Sequence, residues 1–336
     1  MKTVIPAGYK SLLSIYETQR AIGLLKRLFE DKLCGSLQLH RVSAPLFVTA
    51  TSGINDDLNG VESPVSFSVD GVNQEAQVVH SLAKWKRMAL NNYGFAAGTG
   101  LYTDMNAIRR NEIHDNIHSA YVDQWDWEKV IAEKDRNTDY LKTQVLCIVN
   151  ALAETQEVLR TMFPQLTGLP VIPKEVKFIT TQEMEDLYPD KSKKEREDIL
   201  AKEFGCIFIM GVGHKLKSGE PHDGRAPDYD DWNLNGDIIL WNEVLGHALE
   251  LSSMGIRVSP ESLDSQLTIA GCDDRRKLPF HAKLLAGELP FTLGGGIGQS
   301  RVSMHLLGKV HIGEVQASLW DDETHAACDK AGIYLL

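Results

Sequence analysis

Near the C-terminus, Gly294-Gly295-Gly296-Ile297-Gly298-Gln299-Ser300-Arg301 sets glycine at every second position, with an arginine three residues after the last. In an extended segment such alternation strips one face of side chains, so a flat or charged ligand can lie against bare backbone. Arg301 then offers a permanent planar cation for a phosphate or a ring. The spacing fits neither the dinucleotide fingerprint nor the Walker loop, and no Gly-Lys-Ser/Thr follows. A second segment, Tyr121-Val122-Asp123-Gln124-Trp125-Asp126-Trp127-Glu128, reads as a strand. Its alternation points Gln124, Asp126 and Glu128 one way and Asp123, Trp125 and Trp127 the other. Buried carboxylates need partners, so the first face suits an ammonium group or a metal-bound nucleotide, and the tryptophans mark the packed side.

Further charged groups flank these two. Lys84, Lys86 and Arg87 crowd the start of a helix after a strand. Such a cluster is usually solvated, yet Ser81 and Lys86 are placed to reach one pocket. The stretch Tyr102–Glu112 runs from strand to loop and ends in Arg109-Arg110, where a guanidinium at a hairpin end can pair with phosphate through its fork. From His214 to Trp232 the chain is polar and broken by Gly and Pro, as functional lids often are.

The elements that must hold these residues follow from periodicity. Helical spacing runs from Tyr9 to Leu33, with Gly35 as its stop, and again over 84–90, 140–163, 260–270, 279–286 and 302–307. Strands are predicted over 37–48, meeting Pro45, and over 65–69 and from 72 around an Asp70-Gly71 turn. Others fall at 121–130, 176–180, 206–210, 236–241 and 248–252. The charged run 191–198 reads as a solvated helix face. Strands arrive in hairpin-like runs, and no repeat or linker interrupts them, so residues 1–336 are expected to form one α+β domain.

Composition narrows the function. A net charge of −11 argues against a broad nucleic-acid surface, which needs many phosphate-neutralising cations. Five scattered cysteines without a Cys-x-x-Cys pair fit reduced thiols in the cytoplasm rather than a disulfide framework or a zinc site. No signal-type segment or bilayer-length apolar run is present, so no membrane partner is expected.

Pro45 ending a helix–strand unit, Arg109 opening a hairpin and Arg301 closing the glycine segment resemble, in order, the three signature motifs of class II aminoacyl-tRNA synthetases. Ser81 to Lys86, Gln124-x-Asp126-x-Glu128 and Glu250 to Arg257 are similar to the aspartate-specific members. End to end, the chain more closely resembles the ammonia-dependent asparagine synthetase (aspartate–ammonia ligase) family, which lacks a tRNA-binding domain. The stretches 80–87, 121–128, Arg225-Ala226-Pro227-Asp228-Tyr229-Asp230-Asp231-Trp232, 250–257 and 294–301 carry that resemblance.

The resemblance implies a class II synthetase-like α+β fold, a mixed, mainly antiparallel sheet flanked by helices. It implies synthesis of asparagine from L-aspartate, ammonia and ATP through a β-aspartyl adenylate, releasing AMP and diphosphate. Arg109 would hold the α-phosphate, and Arg301 the outer phosphates or the adenine face. Ser253 and the backbone at Gly294, Gly296 and Gly298 would complete the nucleotide site, with Glu112 beside adenine. Asp237 and Glu250 would ligate Mg²⁺. Arg257 and Lys86 would neutralise the charges of aspartate, with Ser81 nearby, while Gln124, Asp126 and Asp56 would receive an ammonium group. Asp56, Asp126 and Asp230 are alternative proton acceptors from ammonium.

The chain departs from the class pattern at two places. Ser300 stands where the third motif commonly has glutamate, and Glu112 lies three residues beyond Arg109, which leaves open whether Arg109 or Arg110 meets phosphate. The glutamine-dependent asparagine synthetases use an N-terminal cysteine, whereas Lys2 and Thr3 follow Met1 here, so ammonium is the expected nitrogen source. Pairing through the motif that contains Pro45 implies a homodimer. Two other readings remain: an aspartate-activating synthetase paralogue that charges another acceptor, and a regulatory module that has kept the fold without the chemistry.

Overall fold

Runs of alternating apolar residues build the centre of this chain into sheet, and longer amphipathic stretches cover it. The computed structural model describes residues 3–55 and 63–336. In chain order the strands are β1 (Leu39–Arg41), β2 (Phe47–Thr49), β3 (Ser66–Phe67), β4 (Ala76–Val78), β5 (Gly100–Ile108) and β6 (Tyr121–Val130). They continue with β7 (Lys177–Thr180), β8 (Cys206–Met210), β9 (Asp230–Asn242), β10 (His247–Arg257) and β11 (Thr292–Gly298). The helices are α1 (Ile15–Leu37), α2 (Ala83–Asn92), α3 (Thr138–Met162), α4 (Thr181–Leu187) and α5 (Lys193–Phe204). After them come α6 (Pro260–Ile269), α7 (Pro279–Leu285), α8 (Gln299–Leu306) and α9 (Asp322–Lys330).

Eight strands form one sheet in the order β1-β5-β6-β11-β10-β9-β8-β7. Its two edge pairs, β1 with β5 and β7 with β8, are parallel, and every pair between them is antiparallel. This is the mixed, mainly antiparallel sheet expected from the sequence. A second sheet, β2-β4-β3, stands apart. Among the described residues, no helix is long and apolar enough to cross a membrane.

One face of the large sheet is dry. Trp125 and Trp127 of β6 are fully buried in the same cluster as Phe29 and Leu33 of α1 and Ile148 and Leu152 of α3. Each such side chain contributes roughly 1.5–3 kcal/mol on leaving water. Phe29 and Trp125 lie 4.6 Å apart between ring centroids. With that face sealed, the Gln124/Asp126/Glu128 face is left for chemistry.

Several boundaries differ from expectation, among them β9, which begins at Asp230 inside the polar stretch rather than at 236, and β10, which runs on to Arg257. Helix α1 begins after a Ser14–Glu17 capping box and runs through Gly35 to Leu37, ending at Gln38 with φ 58°. A helical glycine costs about 1 kcal/mol, and burying Leu33 and Leu37 outweighs it. The single strand expected over 37–48 splits around Pro45: β1 edges the large sheet and β2 joins the small one. The Asp70-Gly71 turn forms, with Gly71 at φ 80° and Val72 N–H donating to Val69 O. Its flanking strands, however, start several residues farther out.

Candidate active site

Strand β11 lies beside β6 so that each glycine of its bare face opposes one polar residue: Gly294 faces Glu128, Gly296 faces Asp126 and Gly298 faces Gln124. A Cβ on Gly294 would sit 2.8 Å from both Glu128 Oε2 and Arg257 Nη2, and one on Gly296 would collide with Gln124 Oε1. The stripe therefore first makes room for the protein's own polar side chains, which fold over it. Gly295, Gly296 and Gly298 line the cavity above, and Gly294 does not, because Arg257 and Glu128 fill its place.

Over this floor sits a buried ionic cluster. The Lys86 ammonium pairs with Asp126, donates to Trp127 O at 2.9 Å and lies 3.9 Å from Glu128 Oε2. Arg257 donates from Nε and Nη2 to Glu128 Oε2 at 3.2 and 3.1 Å, and from Nη1 to Asp230. Glu128 Oε1 accepts from Thr292 Oγ1 at 2.8 Å. Lys86 and Arg257 thus tie together three carboxylates, those of Asp126, Glu128 and Asp230. Burial pushes the Lys86 ammonium down and the Asp126 carboxyl up, against the pull of each on the other.

A second cluster is rich in arginine. Arg225 Nη2 donates to Asp237 Oδ1 at 2.6 Å. Arg301 Nη1 donates to the Glu250 carbonyl at 3.1 Å and lies 3.8 Å from its carboxylate. Ser253 Oγ donates to Glu250 Oε1 at 3.0 Å. Burial raises the Asp237 carboxyl to about 6, with Glu250 adding repulsion and Arg225 opposing both. Burial also works against ionised Glu250, but Arg301 and Arg225 outweigh it and hold that carboxyl below its ordinary value. Arg109, just past β5, has a buried Nε without a hydrogen-bond partner among the described residues. Both clusters open into one cavity of about 430 Å³.

Most residues singled out in the sequence come together here. Ser81, Lys86, Arg109, Glu112, Gln124, Asp126, Asp230, Glu250, Ser253, Arg257 and Arg301 line the cavity. Asp237 stands behind Arg225 rather than on the wall. Of the two adjacent arginines, Arg109 lines it and Arg110 does not. Asp56 lies outside the described residues. The cations of α2 are not solvated: Lys84, Lys86 and Arg87 are all buried, each beside acceptors from distant segments. Arg225 received no role from the sequence: it stands in a loop, and its partner Asp237 lies 12 residues on, in β9. Its sequence signal is its place inside the polar stretch, at the head of the Arg225–Trp232 segment that carries the family resemblance.

The sheet, the glycine strand and the arginine-flanked cavity define the fold of class II aminoacyl-tRNA synthetases. The chain is similar to asparaginyl-tRNA synthetase of Pyrococcus horikoshii complexed with asparaginyl-adenylate, with a TM-score of 0.67 and 15% identity, over 91% of this chain and 70% of that one. Aspartyl-tRNA synthetase of Entamoeba histolytica gives a TM-score of 0.59 and 16% identity, over 91% and 58% of the two chains. Sequence similarity is far more specific. Residues 16–332 match the family model of aspartate-ammonia ligase. An aspartate–ammonia ligase of Clostridium perfringens is 56% identical over all of this chain and 99% of that protein. One of Lactobacillus acidophilus is 55% identical over the full length of both. The chain belongs to the aspartate–ammonia ligase family.

Proposed function

We propose that this chain joins ammonia to the side-chain carboxyl of L-aspartate at the expense of ATP, making asparagine, AMP and diphosphate. The observation that carries this reading is one cavity holding two unlike charge sets across a glycine floor, one for an amino acid and one for a polyphosphate. The reading treats residues 1–336 as one catalytic domain working in the cytoplasm.

In the first step a carboxylate oxygen of aspartate attacks the α-phosphorus and diphosphate leaves. Two anions must approach each other, so fixed cations at the developing charge lower the barrier. Arg109 faces the α-phosphate in this reading; Arg225 and Arg301 face the outer phosphates or the base, with Gly296 and Gly298 leaving room for the nucleotide. Asp237 and Glu250 would hold a Mg²⁺ ion in this reading, since both offer hard oxygens and repel each other, with Arg225 turning from Asp237 to the phosphates to admit it. When bound, that ion would neutralise phosphate charge.

In the second step ammonia attacks the activated carbonyl and AMP leaves. Lys86 and Arg257 neutralise the carboxylates of aspartate as it binds, before one of them is adenylated, while Gln124 and Asp126, with Asp56, hold its ammonium group throughout. Ammonium must lose a proton before it attacks, and Asp126 and Asp230 are the acceptors within reach.

One assay tests the reading. Aspartate, Mg-ATP and ammonium should yield asparagine and AMP in equal amounts without tRNA. Product that forms only with tRNA would favour the synthetase paralogue, and absence of ATP–diphosphate exchange would favour a fold without chemistry.

A further inference from the structure

The segment from Arg225 to Asp230 supplies three cavity residues, Arg225, Tyr229 and Asp230, yet it lies outside any strand until its last residue. Something must hold it. Asp228, in the middle, points away from the cavity and is completely buried. Arg275 Nη1 donates to both of its oxygens, at 2.9 and 3.0 Å, and His281 Nε2 lies 3.0 Å from Oδ2. The Lys84 ammonium lies 3.7 Å from the same oxygen.

These partners come from three separate places: α2, the 3₁₀ turn Asp273–Lys277, and α7. Lys84 is two residues from Lys86, the ammonium that reaches Asp126 in the cavity. Buried Gln266 of α6 closes the arrangement by donating to Pro227 O at 3.0 Å and Asp230 O at 2.9 Å, and accepting from Trp232 N–H. The backbone on both sides of Asp228 is thereby clamped. Its carboxylate also keeps the Lys84 and Arg275 cations from facing each other without a counterion, a costly state when buried.

We propose that Asp228 is a positioning residue for the amino-acid end of the site, setting Asp230 through the loop and Lys86 through α2 at once. It touches no substrate. Because one carboxylate is the shared anchor of two elements, its loss shifts two substrate-facing groups together, and a shift of about 1 Å is enough to cost binding or rate tenfold or more. The nucleotide-facing Arg109 and Arg301 follow β5 and sit on α8 and do not depend on this anchor, and Arg225, three residues before Asp228, is held separately by Asp237 of β9.

The inference rests on the functional reading above, which places aspartate against Lys86 and against Arg257, the partner of Asp230. Steady-state kinetics of the full chain and of Asp228→Asn test it, with folding checked by circular dichroism. The variant is expected to raise KM for aspartate about tenfold or more while KM for ATP stays within about twofold. Equal rises in both, or no change in either, would overturn it. If Asp228→Asn does not fold, Lys84→Met decides: it leaves Arg275 and His281 in place, and an unchanged KM for aspartate contradicts the proposal. Wild-type protein that makes no asparagine would instead sink the functional reading, whereas active wild type with unaltered variants sinks the inference alone.

Discussion

Asp237 is the residue whose surroundings matter most for its charge. Its carboxyl is raised from the ordinary 3.8 to about 6, first by burial and then by Glu250. A carboxyl raised on folding contributes stability below about pH 3.8 and loses it as pH rises through about 6. Near neutrality the folded protein therefore holds an ionised group that it solvates poorly, and a cation would relieve it. Mg²⁺ alone is expected to raise the unfolding temperature at about pH 7.5 and far less at about pH 5, with Asp237→Asn abolishing the difference. Equal gains at both pH values would count against Asp237 as a ligand. The sequence already exposed such single residues where type and alternation sufficed: Gln124, Asp126 and Glu128 share a face as their period-two spacing requires. Arg225 and Asp228 were not legible, because their meaning lies in partners brought near only by the fold, His281 being 53 positions from Asp228.

Among the elements, α8 depends on a neighbour. It begins after Gly298, which has no side chain to cap it. Asp123 of β6 supplies the cap: Oδ1 accepts from Ser300 N–H at 3.0 Å and Oδ2 from Ser300 Oγ at 2.8 Å. Gln316 joins them from its Nε2. The cap fixes the first turn of α8 and with it Arg301. Asp123→Ala is expected to lower stability by about 1–2 kcal/mol in urea unfolding and to raise KM for ATP, with Asp123→Asn recovering most of both. An alanine variant with an unmoved midpoint would contradict the cap. Strands β6 and β8 were readable to the residue, since both alternate or run apolar between clear stops. Of the α2 cations Lys86 was read into the pocket, but the burial of Lys84 and Arg87 was not, because a helix start gives no sign that Asp228 waits for Lys84. Likewise Gly35 resembled a stop until the burial of Leu37 outweighed it.

At the scale of the whole molecule, the family and the sheet were legible because motifs spread over the full length agree with one another. Assembly is a separate matter. Ile15 and Tyr16 on α1 and Leu46 and Phe47 beside Pro45 are exposed apolar residues, and we propose that a second copy of the chain covers them, as pairing through the motif that contains Pro45 implies. Sedimentation is expected to give a homodimer that Tyr16→Glu weakens, and a wild-type monomer would refute the pairing. The central claim is that the side-chain carboxylate of aspartate is activated on the α-phosphorus. It is tested most directly with aspartate carrying ¹⁸O in that carboxylate, together with Mg-ATP and ammonium. Attack at the α-phosphorus followed by release to ammonia must leave one labelled oxygen in AMP. Label in inorganic phosphate, with ADP as the nucleotide product, would contradict the account.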